Sequence, residues 1–337
     1  MSMINPFAGS GFSMAALTLA INKLPNKYTL LGDMGLFDEQ GVTQRSVIIE
    51  QRNNVLNLLP TKPLGSLGTA GNIGKREVRS FVIPHIPHDD VVLPGEVQGV
   101  RAFGSESDTD TMANLIAGKL QTMKDKHAIT KEWLRAGALN GIVYDADGTS
   151  VLYNYFTEFG ITQHTQNLQL SVSTTEVVPL ALAVKRWIET HLLGDTMTEV
   201  MALCSPEFYD AFTTQATVKD AYKYFQQQQN LSGDFRAGFR HGGVIWKEYI
   251  GQATDVAGNV RKFIAANEAV AFPLGTSQTF LLRNAPADFN EAANTVGLPI
   301  YAKQEERDMQ RGWDLHTQSN PLPICTRPEV LVRITKS

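Results

Sequence analysis

The order of apolar and polar residues changes period several times along the chain, and each change predicts a different element. From Gln44 to Leu59, QRSVIIEQRNNVLNLL alternates as a strand does and is rich in Val, Ile and Leu. LPTKPLGSLGTAGNIGK breaks that pattern, and KREVRSFVIPHIP from Lys75 runs extended again. Pro84 and Pro87 lack the N–H that a central strand needs, so this arm belongs at a sheet edge or outside any sheet. Together the two arms predict a long two-stranded excursion with a glycine-rich end.

The period then becomes helical. Met112, Ile116, Leu120, Met123, His127, Thr130 and Leu134 recur at intervals of three and four. Ser107 offers an N-cap, with Asp108 and Asp110 in the first turn, where the helix dipole favours acids. The pattern predicts one helix of about 30 residues, about 45 Å long. GIVYDADGTSVLYNYF reads as a hairpin turning at DADG. TTEVVPLALAVKRWIETHLL, residues 174–193, is a second helix with Pro179 near its first turn. TEVMALC is a buried strand, and SPEFYDAF opens a helix capped by Ser205 with Pro206 at its first position. VKDAYKYFQ continues helical.

After Gly233 the chain is strand-rich: VIWKEYIG, VRKFIAA, EAVAFPLG, TFLLR, WDLHTQSN, LPICT and EVLVRI. Residues 1–43 read as a lightly structured arm with one short helix that Ser13 can cap. No repeat of about 20 to 50 residues is visible. The fold class is α+β. Its helix of about 45 Å and its proline-bearing hairpin would be poorly covered in a monomer, which points to an assembly protein whose neighbouring copies cover them.

Composition narrows the function more than the fold. The 337 residues suffice for two domains or one large domain with insertions. Hydrophobic residues make up 43% and charged ones only 19%, with Gln, Asn, Thr and Gly filling the difference. Such a surface suits a protein that meets many copies of a partner. A net charge of −4 argues against an electrostatic nucleic-acid binder as a whole. Cys204 and Cys325 cannot form a disulfide framework or a four-ligand zinc site, and they read as buried thiols in a reducing compartment. FSMAALTLAI lacks the basic flank and cleavage site of a signal peptide, and nothing else approaches about 18 apolar residues. These features predict a cytoplasmic protein with no membrane span.

Two stretches tempt a catalytic reading. GSLGTAGNIGK places Gly65, Gly68, Gly71 and Gly74 at every third position, with Lys75 closing the run. A phosphate-binding loop needs glycine where Thr69 stands and a hydroxyl where Arg76 stands, and a dinucleotide fingerprint needs a following helix. Both templates fail. HIPHDD, His85 to Asp90, offers four potential ligands, but no second cluster complements it, and it reads as a solvated turn. There is no G-x-S-x-G elbow. Cys204, between a strand and a helix, could be an activated thiol but reads better as a core cysteine.

Charged candidates remain. Lys119, Lys124, Lys126, Lys131 and Arg135 line one face of the long helix, diluted by Asp125 and Glu132. This is either a solvated face or a weak, sequence-blind contact for DNA phosphates. KQEERDMQR, 303–311, mixes Glu305, Glu306 and Asp308 with Arg307 and Arg311, a solvated run or a subunit interface.

The order of these parts, with the phrases IPHDD, NGIVYDADG and TRPEVLVRI, resembles the phage major capsid protein E family, the lambda-like head proteins. The resemblance covers nearly the whole chain and implies a Hong Kong 97-type capsid fold. It implies an N-terminal arm at 1–43, an extended loop at 44–103 and a peripheral domain at 104–170, whose spine helix runs 107–136. An axial domain would cover 171–305, with 306–337 returning strands to the peripheral domain.

The implied function is a major head protein of a tailed double-stranded DNA phage. Many copies would form the pentamers and hexamers of an icosahedral shell, with no catalytic residue, cofactor or metal. Implied partners are portal and scaffold proteins, a possible decoration protein, and packaged DNA held non-specifically. An encapsulin-like compartment sharing the fold is the alternative, and a nucleotide- or metal-dependent enzyme is a third reading. In this setting the glycine run becomes a loop that bends as subunits shift. Lys75, Arg76 and Arg79 would face acidic patches of a neighbour. Some capsids with this fold crosslink a Lys to an Asn; the resemblance implies no such bond at Lys75.

Overall fold

The computed structural model describes residues 13–23, 30–52, 76–96, 112–219, 221 and 238–337. The segment before the hairpin is more structured than its punctuation suggests. Helix α1 (Met14–Lys23) starts at Ser13, whose hydroxyl accepts from Ala16 N at 3.3 Å, and it buries Leu17 and Ile21. A short α2 (Leu30–Asp33) buries Leu31, and β1 (Asp38–Gly41) pairs in parallel with a strand over 240 residues away in sequence. The described part of 1–43 is therefore integral to the body rather than a light arm. Its apolar residues are too few to show a period but enough to fill gaps.

The hairpin follows as β2 (Ser46–Arg52) and β3 (Arg76–Val82), antiparallel from Ser46↔Val82 to Arg52↔Arg76. Next, β4 (Ile86–Val92) contains HIPHDD. That stretch is an extended edge strand, not the expected turn. Its partner covers only one side, so Pro87 costs no ladder bond there.

The long helix is α3 (Met112–Asn140), 29 residues and about 44 Å. Ser107 and the first turn placed after it lie outside the described residues. The C-terminal end runs four residues past 136 before Gly141 turns the chain at φ 79°. Only the N-terminal half behaves as an amphipathic surface helix. From Glu132 to Leu139 nearly every side chain is buried, which corrects the expectation that a monomer leaves this helix uncovered.

Strands β5 (Ile142–Tyr144) and β6 (Val151–Asn154) form the expected hairpin. Tyr155 does not continue it. Asn154 accepts from Phe156 N and Thr157 N and so caps a short α4 (Tyr155–Phe159). Then come β7 (His164–Asn167), α5 (Val177–His191), β8 (Glu199–Cys204) and α6 (Pro206–Thr214). Ser205 Oγ accepts from Phe208 N, with Pro206 at the first helical position, as the sequence predicts.

Small strands follow: β9 (Phe239–His241), β10 (Val244–Glu248), β11 (Gln252–Thr254) and β12 (Val260–Lys262). The remaining strands are β13 (Glu268–Leu274), β14 (Phe280–Asn284), β15 (Tyr301–Glu306), β16 (Trp313–Ser319), β17 (Pro321–Cys325) and β18 (Val332–Thr335).

Three larger sheets organise most of these strands. A six-stranded sheet runs β7-β18-β13-β8-β10-β9. Its alternating residues serve two cores, as the period of two demands. Val200, Ala202, Cys204, Ala269 and Ala271 face α5 and α6, whereas Leu203, Val270 and Phe272 face the core that holds the C-terminal half of α3. Pro273 sits on β13 opposite Val200, beyond the last β18 partner at Ala271, so its missing N–H costs no bond on the free side.

Two three-stranded sheets, β1-β14-β17 and β15-β16-β4, flank the long helix. A third core joins α1, the N-terminal half of α3 and the β15-β16-β4 sheet through Ile21, Leu120, Met123, Ala302 and Leu315. The expected division at 170 and 305 does not coincide with the sheets. Both β7 and β18 belong to the six-stranded sheet, while β16 and β17 pair elsewhere, because pairing partners follow the core and not chain order.

Candidate assembly interface

The β2–β3 ribbon has one face held by the body and one free. Val47, Ile49, Arg79 and Phe81 share the inner face by register, and Ile48, Val78, Ser80 and Val82 the outer one. Phe81 is fully buried, its ring edge-on to Tyr153 at 5.4 Å and to Tyr155 at 6.0 Å, and stacked over Phe159 at 6.4 Å. The Tyr153 hydroxyl accepts from Val82 N at 2.8 Å and donates to Val82 O at 2.7 Å. On the outer face Ile48, Val78 and Val82 are 58%, 58% and 62% exposed. Three β-branched apolar residues on one unpartnered strand pair form a surface fit for covering.

Arg79 is engaged within its own subunit. Its guanidinium lies 4.5 Å from the Phe159 ring centre, and Nε donates to Glu158 O at 2.9 Å. It fixes the ribbon root together with Phe81. Gly65, Gly68, Gly71, Gly74 and Lys75 lie outside the described residues, as does the Arg76 side chain.

The basic residues of α3 do not form a common outward face. Lys119 reaches Glu96 at 2.7 Å and Asp90 at 3.8 Å and also donates to Val91 O. Lys124 is buried and donates to Asn22 O at 3.3 Å. Lys131 and Arg135 converge on Glu39, at 3.0 and 3.3 Å. Lys126 alone among the five is exposed, and it meets His88 Nε2 at 3.0 Å. Burial would raise the Glu39 carboxyl, but Lys131, Asn284 and Arg135 outweigh it and hold that group below the ordinary range. The expected DNA-facing row is thus drawn mostly into the subunit's own ion pairs. Helical spacing places side chains around an axis but cannot say what packs against them.

The charged run at 303–311 forms the β15–β16 hairpin end. Arg307 pairs with Asp314 at 2.8 Å, and Lys303 with Glu291 at 3.0 Å. Glu305 and Arg311 are exposed and Glu306 half-buried. At the tip Met309 is 83% exposed with φ 61°, a left-handed backbone unusual for a side chain of this size.

The catalytic readings gain nothing. Among the described residues no group of three His, Cys, Asp or Glu is placed to hold a metal ion. His316 turns to Asp89, while His88 lies beside Lys126. Cys204 is fully buried, and burial pushes its thiol well above the ordinary range, which suits a core cysteine rather than a nucleophile. No helix among the described residues is long and apolar enough to cross a membrane.

Two buried groups escaped the sequence reading. Glu132 on α3 accepts from Leu31 N at 2.6 Å and Tyr249 OH at 3.2 Å. The run WLRAGALNGIV after it, in which only Arg135 and Asn140 are polar, was the available sign that a carboxylate there would be enclosed.

His127, read as part of the apolar stripe, is indeed buried but bonded at both nitrogens. Nδ1 lies 2.8 Å from Ser319 Oγ and Nε2 3.0 Å from Thr317 Oγ1. Thr317 gives its own proton to His88 O at 3.1 Å, so Nε2 carries the proton and Nδ1 accepts from Ser319.

Burial, with His88, Lys131 and His316 adding to it, pushes the His127 imidazole down from 6.5 to about 3. The folded chain therefore keeps it neutral while the unfolded chain protonates below 6.5. Stability contributed by the neutral ring is lost as pH falls from 6.5 toward 3. A fully protonating site has a slope of about 1.4 kcal/mol per pH unit. We expect the stability difference between wild type and His127→Gln to shrink by about 2 kcal/mol from pH 7 to pH 5. Chemical denaturation at each pH measures it, and a constant difference would disprove the assignment.

Comparison with known proteins converges on one family. Residues 13–336 match the family described as phage major capsid protein E. The major capsid protein of Pseudomonas phage KPP10 is 28% identical over 97% of this chain and 98% of its own. That of Salmonella phage Felix O1 is 28% identical over 96% of each. Among solved structures, a chain assigned as the capsid protein of a prophage of E. coli CFT073 superposes with a TM-score of 0.62. It is 13% identical and covers 97% of this chain and 99% of its own.

Proposed function

The chain belongs to the phage major capsid protein E family, and from that premise we propose how its surfaces serve a shell. It is a major capsid protein with the Hong Kong 97-type fold, and many copies of it build the capsid of a phage virion. The outer face of the β2–β3 ribbon carries the proposal: Ile48, Val78 and Val82 are apolar, exposed and uncovered by the chain's own described residues. A neighbouring subunit in a pentamer or hexamer covers them. Each subunit makes several such contacts at once, so individually weak contacts suffice when the shell closes.

Glu305, Glu306, Arg307 and Arg311 at the β15–β16 end are proposed to meet a second neighbour. Gly65, Gly68, Gly71, Gly74, Lys75 and Arg76 are proposed interface positions on sequence grounds. Arg79 serves by fixing the ribbon root. Assembly in the host cytoplasm, with portal and scaffold proteins and a possible decoration protein, completes the proposal. Packaged double-stranded DNA is contacted non-specifically, and of the helix's basic row only Lys126 is exposed to contribute.

Electron microscopy of the purified chain and of phage lysate tests the reading: uniform isometric shells built of this chain are expected, and its absence from shells in both overturns it. A chain carrying Gly68→Ala and Gly71→Ala is expected to fold with unchanged circular dichroism yet give fewer or unexpanded shells. Shell yield and expansion equal to wild type would remove the glycine run from the interface.

A further inference from the structure

A cavity of about 240 Å³ opens between α1, β1, the middle of α3 and the segment entering β15. A single water needs about 10–15 Å³ of such space, so a polyatomic ion fits. Its wall brings together Asn22, Glu39, Lys124, His127, Lys131 and Arg135.

Three cations from one helix face here against one carboxylate. Glu39 is already committed: Oε1 lies 3.0 Å from Lys131 Nζ and 2.8 Å from Asn284 Nδ2, and Oε2 lies 3.3 Å from Arg135 Nη2. Behind the wall, Glu132 Oε2 is 3.6 Å from Arg135 Nη1, beyond hydrogen-bond reach. Asp125 adjoins Lys124 and bonds to Gln121.

The wall still carries more positive than negative charge. The Arg135 side chain keeps only 9% exposure and lines this cavity beside Lys124 and Lys131. An anion placed there would be held by charge-assisted hydrogen bonds. Burial also pushes the Lys131 and Lys124 ammonium groups down, the sign of positive charge held in a poorly solvating place.

We propose that this cavity binds a small phosphate-class oxyanion, seated among Lys124, Lys131 and Arg135 and accepting from the Arg135 fork. The site lies within one subunit, so the proposal does not depend on which surfaces meet in the shell.

Equilibrium dialysis of the purified full chain against radiolabelled inorganic phosphate tests it, with chloride holding ionic strength constant. Saturable uptake of one phosphate per chain is expected. Lys124→Met, which leaves the Glu39 pairs in place, should weaken binding about tenfold or more. Arg135→Gln should abolish it, with circular dichroism reporting whether that variant folds. Lys126→Met, outside the cavity, should bind as wild type does. Absence of saturable uptake, or equal uptake by wild type and folded Lys124→Met, overturns the proposal.

Discussion

Replacing Glu132 by Ala is expected to cost about 3–5 kcal/mol, a large fraction of the roughly 5–15 kcal/mol by which a folded domain is stable. The carboxylate is 2% exposed and serves three elements at once. Oε1 accepts from the first turn of α2 through Leu31 N and from Tyr249 OH after β10, and Oε2 faces Arg135 on its own helix. Deleting it leaves a backbone N–H and a phenol buried without an acceptor and removes the counter-charge beside Arg135.

Burial pushes the Glu132 carboxyl up, and the Leu31 N–H, Arg135 and Tyr249 oppose that rise. Glu132→Gln keeps an oxygen for Leu31 N and should cost clearly less than the Ala change. Tyr249→Phe removes one hydrogen bond, worth about 1 kcal/mol. Chemical denaturation of the subunit ranks the three. An Ala variant within 1 kcal/mol of wild type, within the roughly 0.5–1.5 kcal/mol of one ordinary hydrogen bond, would show that the network is not structural.

Phe81→Ala is expected to abolish shell assembly at a stability cost of about 3–5 kcal/mol. The ring is the anchor between a ribbon that meets neighbours and the body that must orient it. It packs on Tyr153, Tyr155 and Phe159, and Arg79 covers Phe159 from the same strand. Without it the ribbon root keeps the Tyr153 hydroxyl bonds to Val82 but loses its apolar contact.

A milder pair tests anchoring and contact one at a time. Tyr153→Phe loosens the root, whereas Val82→Ser alters only the exposed outer face. Both should leave circular dichroism unchanged and reduce shell yield in electron micrographs. Wild-type shell yield from Phe81→Ala would mean that the ribbon's direction is set elsewhere.

Much of the fold was legible because its signals are local. The stripe Ile116, Leu120, Met123, His127 and Leu134 is buried as its spacing predicts. Ser205 and Pro206 start α6 as capping chemistry requires, and Pro87 sits on an edge strand as its missing N–H demands. The exposed apolar face of the ribbon was likewise implied by strand alternation without a visible partner. Legibility ended where a residue's role depends on a distant partner. Lys131 and Arg135 looked like a surface row, but Glu39, more than 90 positions earlier, draws both inward. Arg79 looked like a neighbour's contact until Phe159 and Glu158 came beside it.

By itself the sequence determined the element types, the α+β class, the long helix and the hairpin, since periodicity, caps and prolines act within a few residues. The tertiary structure alone decided the burial of the C-terminal half of α3, the pairing of β18 with β7 and β13, the enclosure of Glu132 and the partners of the two His127 ring nitrogens. Those outcomes depend on which remote segments share a core. That is settled by packing and by the cost of unpaired buried charge, neither of which is written at any single place in the chain.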